Sequence, residues 1–75
     1  MENVSIVPTI VLLNSKINEN ERAIRKELKK IEMYKSIGED ESTTKYNQRL
    51  INFLEQENKS YFASIIILNK LSHGN

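Results

Sequence analysis

Seventy-five residues carry 11 Lys and Arg against 10 Asp and Glu, with no cysteine and one histidine. That is enough chain for a single small domain, 1–75, whose core is marginal without outside support. Disulfides are excluded and a zinc site has almost no ligands, so association is the remaining route to stability. The balanced charge gives no compositional case for nucleic acid.

The chain reads as a frayed start over residues 1–5, with Ser5 able to cap a helix whose first turn tolerates Pro8, and Thr9 or a nearby residue an equal alternative start. The first predicted helix runs over about 6–37. Its core positions are Ile10, Leu13, Ile17, Ile24, Leu28 and Ile31, a helical stripe with Asn20 or Glu21 filling its central gap. Gly38 ends it as a left-handed residue, and Lys35 suits the last turn. Residues 38–42 form the turn, where Asp40 or Ser42 can cap the next helix and the acidic cluster favours its N-terminal end.

The second predicted helix covers about 43–72. Its main stripe is Tyr46, Leu50, Phe53, Leu54, Tyr61, Ile65, Leu68 and Leu71, with Glu57 intruding. A short connection makes the helices antiparallel, so that positions whose numbers sum to about 79 lie level. Glu57 then meets Asn20 in a polar layer that sets register, or reaches solvent. A strand over Ile65-Ile66-Ile67 would lack a pairing mate. The predicted fold class is all-α: two long antiparallel helices in a hairpin, completed by a partner or by dimerisation into a four-helix bundle.

Two apolar runs, Ile6–Leu13 and Tyr61–Leu68, meet at the end away from the turn. There the pattern exceeds one stripe, because Val11 and Leu12 point away from Ile10 and Leu13. Phe62 and Ile66 form a second line continuing from Ile51, and Ile67 points elsewhere again. Each such side chain left in water forgoes about 1.5–3 kcal/mol of burial, a large share of a small domain's stability. Contiguous exposed apolar surface marks a contact site. The candidate protein-binding residues are therefore Ile10, Val11, Leu12, Phe62, Ile66 and Ile67, with a protein partner or a second copy as occupant.

A second candidate surface is the basic face of the first helix, Arg22, Arg25, Lys26, Lys29 and Lys30, which in a dimeric bundle can contact RNA or DNA phosphates. Glu21, Glu27 and Glu32 interleave with it at ion-pair spacing, and no aromatic residue stands among the basic ones to stack on a base. Glu39, Asp40 and Glu41 match no calcium loop, and Ser60, Ser64 and Ser72 have no base in a recognisable motif. His73 stands near the chain end with no evident role. The expectation is a non-enzyme with no cofactor and no metal. No signal sequence is evident and no run is long enough to span a bilayer, so a cytoplasmic location is expected.

Lys29-Lys30 with Met33, the turn Gly38-Glu39-Asp40, Lys45-Tyr46-Asn47-Gln48 opening the second helix, and Ala63-Ser64-Ile65-Ile66-Ile67 together resemble the small helical-hairpin co-chaperones of type III secretion needle subunits. The resemblance covers about residues 26–70 and leaves Ser5-Ile6-Val7-Pro8 outside the pattern. It implies a cytosolic protein that, with a larger helical-repeat chaperone, keeps the needle subunit unpolymerised.

Overall fold

A computed structural model describes residues 6–73, and the side chains of residues 6–72. The expectations for residues 1–5, including the Ser5 cap, and for the His73 side chain fall outside that range. Two helices, α1 (Ile6–Ser36) and α2 (Glu41–His73), pack along their whole length as an antiparallel hairpin. The principal extents of 58 × 14 × 12 Å describe a slender rod. Its radius of gyration is 17.2 Å, against about 11 Å for a compact chain of this length.

The sharp stop of α1 follows from Gly38, whose φ of +80° places it in the left-handed region. This geometry lets the Glu39 amide donate to the Tyr34 carbonyl at 2.9 Å and the Gly38 amide to the Lys35 carbonyl at 3.1 Å. These are the two bonds of a Schellman cap, and they satisfy carbonyls the helix end would otherwise leave open. Asp40 takes the N-cap place of α2, its carbonyl accepting from the Thr43 amide. The connection is thus residues 37–40, and α2 begins two residues earlier than the sequence pattern predicts, with Glu41 in its first turn.

The contact seam follows an unbroken heptad repeat. On α1 it passes through Ile6, Ile10, Leu13, Ile17, Asn20, Ile24, Glu27, Ile31 and Tyr34 in alternating steps of four and three. On α2 it passes through Thr44, Asn47, Ile51, Leu54, Asn58, Tyr61, Ile65, Leu68 and Ser72. These are the a and d positions of a two-stranded coiled coil. Every described residue that is buried or half-buried lies on the seam or is Ala23, Leu50 or Glu57, which flank it at g.

This corrects the predicted stripes. Leu28 is exposed, and the seam place beside it belongs to buried Glu27. Tyr46, Phe53 and Leu71 are likewise exposed, at 72%, 59% and 66% of their free surface. Asn47, Ile51 and Asn58 are buried instead. The physical reason is phase: a pair of helices with a heptad repeat supercoils to keep one seam over its full length, and a polar residue falling in phase goes inside when its opposite number can bond to it.

Candidate functional site

The polar seam residues form two layers that fix how the helices face each other. Nearer the turn, the Asn47 amide donates to Glu27 Oε1 at 2.6 Å and Lys30 Nζ donates to Glu27 Oε2 at 3.4 Å. The Asn47 hydrogen bond holds the Glu27 carboxyl below its ordinary pKa of 4.5, against the opposing push of burial, with Lys30 and then Lys26 adding to the lowering. At mid-length, the Asn20 amide donates to Glu57 Oε1 and to Asn58 Oδ1, both at 2.9 Å. Asn58 in turn makes a long 3.5 Å contact to the Ile17 carbonyl. The meeting of Asn20 with Glu57 is as the sequence predicts; the Asn58 bridge is an addition to it. No buried side-chain nitrogen or oxygen among the described residues lacks a partner.

With the seam fixed, the remaining positions divide between two broad faces. In an antiparallel pair the e positions of the two helices flank one side of the seam and the g positions the other, with b beyond e and c beyond g. A shallow groove lined by Glu21, Ile24, Glu55, Asn58, Lys59 and Phe62 marks the e/b side and brings residues of both helices together there.

The predicted protein-binding residues separate accordingly. Ile10 is half-buried in the seam. Val11, Phe62 and Ile66 are exposed on the e/b face, where Val7 joins them. Leu12 and Ile67 are exposed on the opposite g/c face, beside Leu71. The open end of the hairpin is therefore two apolar patches back to back. On the e/b face, Val7 and Val11 form one i, i+4 pair and Phe62 and Ile66 another. Val11 and Ile66 lie level across the seam, judged from the Asn20–Asn58 bond further along.

The g/c face holds a feature that includes Tyr46 and Phe53, which the predicted stripe of the second helix places in the core. Met33, Ile37, Tyr46 and Phe53 are all at least half exposed and share this face, toward the turn, with half-buried Leu50. The signal for it was available: once the steps of three and four from Ile51 to Leu68 are kept in phase, Tyr46 and Phe53 fall at c and cannot face α1.

The basic candidates take the outer side of α1. Arg22 and Lys29 are at its outer edge, Arg25 lies toward the e/b face, and Lys26 and Lys30 lie toward the g/c face. A shallow hollow along this helix is lined by Arg22, Arg25, Lys26 and Lys29 together with Glu19 and Ala23. Lys30 is engaged with Glu27. These cations thus spread around the helix, with a carboxylate among them. Among the described residues no group of three or more His, Cys, Asp or Glu is placed to hold a metal ion. No described helix is long and apolar enough to cross a membrane. No family model, curated protein or solved structure matches the chain.

Proposed function

We propose that the hairpin is a protein-binding module that receives a helix of another protein at its open end. The observation carrying this reading is the e/b patch, in which Val7, Val11, Phe62 and Ile66 are each about half exposed or more on adjacent helices. Two level rows of apolar side chains on adjacent helices suit the apolar stripe of an amphipathic helix, and Phe62 joins them to the shallow groove at mid-length. The resemblance to needle-subunit co-chaperones supports a specific version of this reading. The occupant is then a helical-repeat chaperone or the needle subunit, and the role is cytosolic storage of that subunit.

The test is co-purification of the chain with a helical-repeat chaperone and needle subunit from the same genome. Ile66→Asp and Phe62→Asp are expected to abolish the complex. Lys26→Glu is expected to leave it intact, and raised salt to weaken it little, because apolar contacts are not screened. Loss of binding with Lys26→Glu alone, together with salt-sensitive retention of RNA, favours the basic side of α1 and overturns the proposal.

A further inference from the structure

The g/c face is apolar at both ends, whereas the e/b face carries only the exposed Leu28 toward the turn. Leu12, Ile67 and Leu71 stand at the open end, and Met33, Tyr46 and Phe53 toward the turn, all exposed. We infer that this face is an interface between two copies of the chain, stacked with their turns at the same end to make a four-helix bundle. It is a different surface from the e/b patch assigned to a heterologous partner.

Three observations select a second copy. The first is self-complementarity. When two hairpins stack in this way about a two-fold axis along their length, α1 of one lies over α2 of the other at the same level. Leu12 then meets the partner's strip at Ile67, and Met33 meets it at Tyr46. Apolar faces apolar at both ends, twice by symmetry.

The second observation is charge. The g/c strip of α1 carries Lys16, Lys26 and Lys30 against Glu19, whereas the strip of α2 carries only Glu57. Laying α1 over α2 of the copy sets a net positive strip on a net negative one, with Glu57 level with Glu19 and about a turn from Lys16. Stacking with the turns at opposite ends would instead lay α1 on α1 and bring the lysines together. The stems of Lys26 and Lys30 come to lie over the partner's aromatic Phe53 and Tyr46, an arrangement that suits long cationic side chains.

The third is area. The chain exposes 5794 Å², about 1,000 Å² more than a folded monomer of its mass normally does. Helices of 31 and 33 residues make a face ~46 Å long and, as two helix diameters, ~20 Å wide, which reaches the ~800 Å² per partner of a stable interface.

The experiment is sedimentation equilibrium of the full chain, with far-UV circular dichroism to check helicity. The unmodified chain is expected at twice its 8.7 kDa mass. Phe53→Asp and Met33→Asp change exposed side chains, so they are expected to keep the helices and give the single-chain mass at the same concentration. Ile66→Asp, on the opposite face, is expected to leave the doubled mass unchanged. A single-chain mass for the unmodified protein overturns the inference, as does dissociation by Ile66→Asp without dissociation by Phe53→Asp.

Orientation is read separately with the doubly substituted chain Met33→Cys, Tyr46→Cys. Within one hairpin these positions lie at the two outer edges of the same face, with the g positions of both helices between them, too far apart to bridge. Across the proposed interface they adjoin, so oxidation is expected to give a covalent dimer joined by two disulfides. Failure to form it overturns the stacking with turns together. The outcome for the e/b patch is independent, since loss of the heterologous complex by Ile66→Asp does not depend on the doubled mass.

Discussion

Replacing both amides of the mid-length layer, Asn20→Leu with Asn58→Leu, is expected to make the hairpin more stable while weakening its choice of register. Asn58 is buried and Asn20 half-buried, so the two leucines gain about 3 kcal/mol of apolar burial between them. The bond lost between them, 2.9 Å long, is worth about 1 kcal/mol net. Glu57 sits at the flank, half-buried, and exchanges its bond to Asn20 for water at little cost. The balance is a gain of about 2 kcal/mol, which at a slope of ~1 kcal/mol per molar moves the urea midpoint up by about 2 M.

The single change Asn20→Leu behaves differently. It strands the buried Asn58 oxygen, costing about 1–3 kcal/mol and cancelling its own burial gain. The cycle built from the two single variants and the double should therefore show a coupling of at least ~1 kcal/mol. Unfolding is followed by far-UV circular dichroism at one fixed protein concentration, because association shifts apparent stability. Sedimentation of the double variant is expected to show mixed species, as buried polar residues in a seam specify partner and alignment. A double variant less stable than the unmodified chain, or single and double changes that simply add, refutes the reasoning.

Gly38→Ala is expected to destabilise by about 1 kcal/mol, from the cost of a left-handed alanine. No atom lies within 4 Å of the added methyl, so a larger loss would show that the strain account is incomplete; Gly38→Asn should lose less. Glu27 gives a pH dependence of definite sign. Its folded pKa lies below the ordinary 4.5, so its contribution is complete above that value and is lost as the pH falls through the lowered folded value. Chemical unfolding from neutral pH into acid should show a smaller acid loss for Glu27→Gln than for the unmodified chain. Equal acid losses would remove Glu27 from the account.

The hairpin itself was legible in the residues because its signals are local: a stripe on each side of Gly38, an acidic turn and one break. The rotation of each helix was less legible. Choosing apolar residues one by one leads to Leu28, since Glu27 beside it is charged, and to Tyr46 and Phe53, since Asn47 follows one and Asn52 precedes the other. What decides the matter is pairing across the seam, where Asn47 lies opposite Glu27 and Asn58 opposite Asn20. A polar residue costs little inside when its match arrives from the other helix, and only the register of the two helices together reveals the match. The same shift of phase moved the surface. Val11, Leu12, Phe62, Ile66 and Ile67 lie outside the seam as the sequence reading expects, yet on opposite faces. Met33, Tyr46 and Phe53 joined them only when the true phase was known.

None of the described large side chains has lost contact with water entirely; even Ile51 and Ile17 retain 3% and 4% of theirs. An interior one layer deep stores its cohesion lengthwise, as a zip fastener does, with each pair of teeth held chiefly by the next. The loop at Gly38 stitches one end shut, so fraying begins where Ile6 and Leu68 close the other. Amide exchange should accordingly quicken from the stitched end toward the loose one. A protein grasping Val11 and Ile66 would be holding the slider, and unzipping would slow for as long as it stayed.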